Sequence, residues 1–184
     1  MDIFSHGLWA GVLYKFLNLK IRGKKKFNFW LAVFFGVFPD LFAFAIPFVW
    51  NFFNILIGKS SGFPHPDATE PATQALPMFQ LANHLYNFSH SIIIFALVFA
   101  IAFFIFRKKS FILGAWLLHI LMDIPTHTYK FFPTPVFWPL AGWKFSGFSW
   151  ANPWFLAVDY GLLIIVYSWL IWKERKMKSK KLWN

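Results

Sequence analysis

FNFWLAVFFGVFPDLFAFAIPFVW, residues 27–50, is an apolar run that only Asp40 and two prolines interrupt. It exceeds the roughly 20 residues that a helix needs to cross the hydrocarbon core of a bilayer. Three further runs share this character and are expected to be spans too: residues 88–106, 111–128 and 154–172. Together they predict an all-α, multi-pass transmembrane helical bundle with four spans, or five if the N-terminal segment also crosses.

The composition of the chain agrees with a lipid environment. Of its 184 residues 58% are hydrophobic and only 14% are charged, so a soluble domain would lack the polar side chains to cover its surface. The 27 phenylalanines and 11 tryptophans suit a lipid-facing surface with aromatic belts at its interfaces. The absence of cysteine excludes disulfides, thiol nucleophiles and cysteine-ligated metals. The length predicts a single integral membrane domain, residues 1–184.

Basic residues are concentrated in three short clusters beside the apolar runs, at residues 20–26, 107–109 and 173–181. Such clusters stay on the cytoplasmic side of a membrane, which explains the net charge of +11 without a nucleic-acid partner. We therefore expect a protein of the inner (plasma) membrane with a basic cytoplasmic tail at residues 173–184. The loops at 58–78 and 129–152 lack a basic cluster and should face outward.

The first 20 residues allow two interpretations. They lack the positive start and cleavage site of a signal peptide, so we expect them to be retained as either a surface helix or a fifth span. The position of polar side chains along each segment favours a fifth span. In four segments a polar side chain lies 14 residues, or about 21 Å of helix, from a basic residue of the nearest cluster. The four pairs are His6 and Lys20, Asp40 and Lys26, Asp123 and Lys109, and Asp159 and Lys173. This spacing predicts one polar layer roughly two-thirds of the way across the bilayer.

Ionisable side chains lie within the apolar runs, where charge is costly and marks functional sites. Seven of them are inside or at the ends of these runs: Asp2, Asp40, Asp123, Asp159, His6, His90 and His119. A spacing of four residues places Asp2 beside His6, and His119 beside Asp123, on one face of a helix. His127 extends the second series by four more residues. We therefore predict that these side chains meet at a shared ion.

Histidine nitrogens and aspartate oxygens without sulfur form the ligand set of a hydrolytic or Lewis-acid metal site. The expected cofactor is a divalent metal, above all Zn²⁺ and then Mn²⁺ or Fe, and the number of carboxylates leaves room for more than one ion. Asp40 and Asp123 are the candidate catalytic carboxylates. The candidate metal ligands are Asp2, His6, Asp40, His90, His119, Asp123 and His127.

These residues also have structural interpretations. His119 and Asp123 could form a packing hydrogen bond between spans. Asp40 could cap a broken helix, and His90 could lie at the membrane interface. The sequence leaves three residues open between ligand and supporting roles: Asp159, His84 and His127. Two more candidates fall in a polar loop and should face solvent: His65 and Asp67.

Five short motifs contain most of these polar residues: the Asp2 and His6 pair, FPD at 38–40, FSHS at 88–91, HILMD at 119–123 and PTH at 125–127. Through them the sequence, from residue 1 to about residue 140, resembles the membrane-bound metal-dependent hydrolases, which are also described as LexA-binding and inner-membrane-associated. These are distantly similar to zinc-dependent phospholipase C and single-strand nucleases. The resemblance implies a metal site at Asp2, His6, Asp40, His90, His119 and Asp123.

The sequence departs from that family at one point. Many members carry a His-Arg pair before the Thr-His-Ser motif, whereas this chain has Leu85 and Tyr86 there, with His84 one position out of register. No phosphate-binding arginine is therefore expected.

The favoured function is a membrane-embedded hydrolase in which a metal-activated water attacks a phosphoester or related bond of a lipid or lipid-linked substrate. One alternative is an ion or proton transporter or channel component that uses the same buried groups as a path. Another is a non-catalytic membrane adaptor with a structural metal. A carrier should have more spans or an inverted repeat, unless it forms a homo-oligomer. Membrane lipids are the expected partners.

Overall fold

The structure is a computed structural model, and it describes residues 1–21, 26–59 and 77–182. All regular structure in these ranges is helical, which confirms the predicted all-α class. A 3₁₀ helix, Arg107–Leu113, joins two of the α-helices. The α-helices are α1 (Ile3–Lys20), α2 (Phe29–Leu56), α3 (Pro77–Ser89), α4 (Ile92–Phe106), α5 (Gly114–Thr126) and α6 (Pro153–Leu182).

Two segments are long and apolar enough to cross a membrane, Phe29–Leu56 and Pro153–Ser179. A third results if the helices on either side of a 55° bend, Gln80–Ser89 and Ile92–Thr126, form one broken span. The described residues thus hold two or three candidate spans, consistent with membrane association but fewer than the four to five expected. The difference arises because apolar composition continues through helix breaks. The run at 88–106 holds a helix of only 15 residues, and the run at 111–128 one of only 13.

Helix α1 packs antiparallel against α2 through small residues. A Cβ atom added to Gly36 would lie 2.6 Å from the Cβ of Ala10 and 2.9 Å from the carbonyl oxygen of His6, so only glycine permits this approach. Further along the pair, the rings of Tyr14 and Phe27 meet edge to face at 5.1 Å. Small residues at helix crossings let backbones come close in a membrane. The close approach carries His6 towards the middle of the bundle.

Helix α6 lies parallel to α1 and is joined to it by polar contacts. The indole of Trp9 donates to Asp159 at 2.8 Å, and the Ser5 hydroxyl donates to the other oxygen of the same carboxylate. The Tyr160 hydroxyl donates to Asp2 at 2.8 Å. We call these five residues the α1–α6 latch. Its buried carboxylate lies within a candidate span, and both of its oxygens have hydrogen-bond donors.

The chain reverses direction after α4. Ring contacts between Phe95 and Trp116 and between Phe103 and Phe111 show that the segments before and after the reversal run antiparallel. Arg107 makes the reversal with φ of 54°. The Tyr14 hydroxyl donates to the Phe111 carbonyl and so joins this turn to the C-terminal half of α1.

The described residues of the three basic clusters collect at one end of the bundle. The ammonium groups of Lys20 and Lys173 lie 4.4 and 6.0 Å from the ring centre of Phe16 near the end of α1. The turn at Arg107–Leu113 lies at this end too, because it contacts Tyr14. Residues 22–25 of the first basic cluster are outside the described residues. The tail predicted at 173–184 continues α6 as far as Leu182.

The segment after α5 folds back on the end of that helix. Backbone amides of Gly147, Phe148 and Trp150 donate to the carbonyls of residues 127, 125 and 126 at 2.8–3.1 Å. The Gly147 Cα comes so near the Pro125 carbonyl that a Cβ would overlap its oxygen. The fold therefore fixes the backbone around His127.

Candidate metal centre

Four side chains from three parts of the chain meet in the middle of the bundle. Asp40 comes from α2, His90 from the break between α3 and α4, and His119 and Asp123 from successive turns of α5. Each offers one ligand atom, and these atoms all lie within 4.8 Å of one another. The two histidines and Asp123 are fully buried, while the Asp40 side chain is 13% exposed. We call these four residues the metal cluster.

The break that carries His90 has a local cause. The Ser91 side chain accepts hydrogen bonds from the amides of Ile93 and Ile94 at 3.1 and 3.3 Å and so caps the start of α4. A serine cap starts a new helix rather than continuing the previous one. As a result His90 leaves the line of α4 and lies against α5.

Backbone carbonyls lie beside the outer nitrogens of the two cluster histidines. His119 Nδ1 lies 2.7 Å from the Gly36 carbonyl oxygen, and His90 Nδ1 lies 3.3 Å from the Tyr86 carbonyl oxygen and 2.8 Å from the Ser89 hydroxyl. A carbonyl only accepts, so the Nδ1–H tautomer satisfies each carbonyl, and in that tautomer the lone pair of each Nε2 faces the cluster. These two Nε2 atoms are 3.0 Å apart. Facing lone pairs at this distance repel each other unless a cation lies between them.

The carboxylates strengthen this argument. Asp123 Oδ2 lies 3.2 Å from both Nε2 atoms, is buried and has no hydrogen-bond donor. Asp40 Oδ1 lies 3.5 and 3.6 Å from the same two nitrogens. No described lysine or arginine forms an ion pair with either carboxylate. A buried carboxylate oxygen without a donor is costly, and a divalent cation beside Asp123 Oδ2 and Asp40 Oδ1 would stabilise both oxygens. The other oxygen of Asp123, Oδ1, accepts a hydrogen bond from the α-amino group of Met1. The cluster therefore fits a divalent metal ion, as expected from the sequence.

Two more predicted ligands lie beside the other oxygen of Asp123. His6 Nε2 is 2.8 Å from Oδ1 and His127 Nε2 is 3.3 Å from it. The His6 contact lacks the geometry of a hydrogen bond, and its ring stacks on that of His119 with centroids 3.7 Å apart. The α-amino group of Met1 also contacts Oδ1, at 2.6 Å. These histidines flank the metal cluster without belonging to it.

The remaining candidates lie apart from the metal cluster. Asp2 caps α1, because its Oδ1 accepts from the amides of Phe4 and Ser5 at 3.1 Å. Asp159 belongs to the α1–α6 latch, and His84 is exposed on α3. Two candidates, His65 and Asp67, fall outside the described residues.

The sequence-based prediction did not include two groups that contact the histidines of the metal cluster. The Tyr86 ring stacks on His90 with centroids 3.7 Å apart, and the Gly36 carbonyl orients His119. The spacing of four residues between Tyr86 and His90 could have indicated the first contact. A backbone carbonyl leaves no signal in the sequence, so the second could not have been found.

A cavity of about 540 Å³ opens from the metal cluster. Asp40 and His127 line it where it meets the cluster, and its remaining walls are mostly apolar. It lies between the start of α1, the second half of α2, the start of α3 and the segment after α5. The cluster therefore has one side on which a ligand of some size could approach.

Comparisons of the chain with protein-family models, with curated proteins and with solved structures gave no match, so the family resemblance of its motifs stays a prediction.

Proposed function

We propose that this protein is a membrane-embedded, metal-dependent hydrolase that cleaves a phosphoester or related bond of a lipid or lipid-linked substrate. The observation that carries the proposal is the metal cluster itself. Its ligand atoms converge within 4.8 Å, one of them, Asp123 Oδ2, is buried without a hydrogen-bond donor, and the site opens into a mostly apolar cavity. A purely structural metal would need no such opening.

The donor set of two imidazoles and two carboxylates favours Zn²⁺, with Mn²⁺ or Fe as alternatives. Such an ion supplies Lewis-acid chemistry that polarises an ester oxygen and activates water. His90, His119 and Asp123 would hold it, and the α-amino group of Met1 fixes the other oxygen of Asp123. His6 and His127, which lie beside that other oxygen, are the nearest histidines that could serve a second ion.

Asp40 is the proposed general base. It is the one member of the metal cluster that is partly exposed, and it lines the cavity from which substrate and water would arrive. Its carboxylate can therefore take a proton from an attacking water on the open side. Asp123 is fully buried and lies among nitrogen atoms, which suits binding and orientation instead.

The packing supports the proposed topology of five crossing segments. Helix α1 lies beside both candidate spans, antiparallel to α2 and parallel to α6, and the described residues of the three basic clusters share one end. With that end in the cytoplasm of a bacterial-type inner membrane, the C-terminus is inside and residue 2 is outside. Cysteines introduced one at a time into this cysteine-free chain can be labelled from either side. Labelling of residue 2 only from the cytoplasm would contradict the topology.

An ion or proton path is the second candidate function, but the apolar packing argues against it. Ala10, Tyr14, Ala32, Ile112 and Ala115 form a buried cluster between the metal cluster and the basic end. Within the described residues, the polar groups thus form a compact site that is closed towards that end. Such a site suits chemistry on one face better than transport across the membrane.

Metal analysis and a hydrolysis assay test the proposal. Protein purified in detergent should contain Zn²⁺, Mn²⁺ or Fe, and the His119→Ala variant should lose it while the exposed His84→Ala variant keeps it. The metal-loaded protein should cleave a phospholipid or a polyprenyl phosphate. Absence of turnover across a full lipid panel, together with metal-dependent ion flux in liposomes, would support transport instead.

A further inference from the structure

The cavity beside the metal cluster follows one face of α2. Seven residues of this helix line it, and all but Trp50 follow one another at helical spacing: Asp40, Phe44, Pro47, Phe48, Asn51 and Asn54. This row of side chains extends over 14 residues, or about 21 Å of helix. The cavity of about 540 Å³ therefore forms an elongated passage along α2.

The chemistry of the wall changes along this passage. The inner end holds Asp40 and His127, next to the metal cluster. The middle is aromatic, with Phe44, Phe48 and, from the segment after α5, Phe132. The outer end has the amides of Asn51 and Asn54 and the exposed side chain of Lys59. The passage therefore leads from a polar, cationic mouth through an apolar middle to the metal cluster.

We propose that this passage binds a hydrocarbon chain of the substrate, and that the substrate is an anionic amphiphile whose phosphate or phosphonate group lies at the metal cluster. The inference rests on the proposed function for the position of the anionic group. Because the passage ends at the metal cluster, the anionic end of the ligand enters first. The aromatic middle then encloses the chain that follows.

Two features favour this ligand over others. An apolar wall gains free energy only by covering apolar surface, so the middle of the passage selects a hydrocarbon rather than a polar chain. Lys59 places a positive charge at the mouth, which attracts an anionic headgroup before it enters.

Binding of n-alkyl phosphonates, from ethyl to dodecyl, tests the proposal without requiring turnover, because their carbon–phosphorus bond resists hydrolysis. The metal-loaded protein is studied in phosphatidylcholine nanodiscs by equilibrium binding. Affinity should rise up to about fourfold for each added methylene, equivalent to about 0.8 kcal/mol. The rise should stop once the chain extends past Asn54 to the mouth.

Substitutions in the wall of the passage test whether the hydrocarbon chain of the ligand lies there. Ala82 is buried on α3 and lines the cavity, so Ala82→Leu takes the space of roughly three methylenes and should lower the octyl-to-ethyl affinity ratio by about tenfold or more. Phe48→Ala, at a half-exposed wall position that tolerates change, should lower the ratio less. The matched control is Ala96→Leu on the exposed face of α4, which should keep the wild-type ratio. Partial loss of metal cancels in each octyl-to-ethyl ratio. Partition of the longer chain into the nanodisc lipid is the same in every sample, so it cancels when the ratio of a variant is compared with that of the wild type.

The outcomes separate this inference from the proposed function. A chain-length series that reaches a plateau and is shortened by Ala82→Leu supports the passage, even if no phosphate monoester is hydrolysed. Hydrolysis of short substrates with an octyl-to-ethyl ratio near one overturns the passage and leaves the hydrolase standing. An absence of metal-dependent phosphonate binding, or an equal change of ratio in Ala96→Leu, also overturns it.

Discussion

The metal cluster and the α1–α6 latch both place a carboxylate inside an apolar helix, yet their surroundings differ. Around Asp159 of the latch, the Ser5 hydroxyl and the Trp9 indole both donate to the carboxylate, so the charge is satisfied by the protein itself. Around Asp123 Oδ2 of the metal cluster, the neighbours at 3.2 Å are imidazole nitrogens with lone pairs. A buried carboxylate oxygen that lacks a donor and faces imidazole nitrogens is therefore a better guide to a ligand site than the burial of a carboxylate alone.

Removing the carboxylate of Asp123 should have the largest effect. In Asp123→Ala the facing nitrogens lose the negative charge that they share with a cation, so bound metal should fall to background. The protein should be destabilised by about 3–5 kcal/mol, as for other broken buried charge networks. Metal content and thermal unfolding with and without Zn²⁺ measure both effects. If Asp123→Ala keeps the metal content of the wild type, Asp123 is not a metal ligand and does not differ from Asp159 in this respect.

Asp40→Asn should abolish turnover while most of the fold is kept. An amide has nearly the shape of the carboxylate but cannot accept the proton of an attacking water, so the rate should fall about 100-fold or more. Turnover is measured at saturating metal so that weaker binding does not lower the rate. Undiminished hydrolysis would mean that another group acts as the base.

Asp159→Ala should weaken the fold more than the metal site. The change leaves the buried donors of Ser5 and Trp9 without an acceptor, at a cost of about 1–3 kcal/mol for each unsatisfied group. Metal content should stay close to that of the wild type, and Asp159→Asn should recover part of the lost stability. If Asp159→Ala loses metal as fully as Asp123→Ala, the latch belongs to the metal site.

Lys59→Ala should have the smallest effect. Its charge lies at the mouth of the cavity, where it acts mainly on the approach of an anionic ligand, so kcat/KM should fall a few-fold at low salt. The difference from wild type should disappear at high salt because exposed charges are screened. A loss that persists at high salt would indicate direct binding of the ligand by this side chain.

The sequence predicted the helical class because long apolar runs at residues 27–50 and 154–172 allow little else. It predicted more spans than the two or three candidates in the described residues, because composition does not show where a helix breaks. One such break lies at His90, where the Ser91 side chain caps the start of α4. Spacing identified the side chains near Asp123, since residues four apart share a helix face. It could not separate Asp159 from Asp123, because both lie at the same distance from a basic cluster and only their partners differ.

The metal cluster joins parts of the chain that are synthesised at different times. Helices α1 and α2 leave the ribosome first, so His6 and Asp40 enter the lipid bilayer before His119 and Asp123 exist. The site cannot capture an ion until α5 has been inserted and has docked against Gly36. Loading with metal is therefore a late event in biogenesis. Chains that stop before α5 would expose unpaired polar groups to lipid, which gives membrane quality control a feature to recognise.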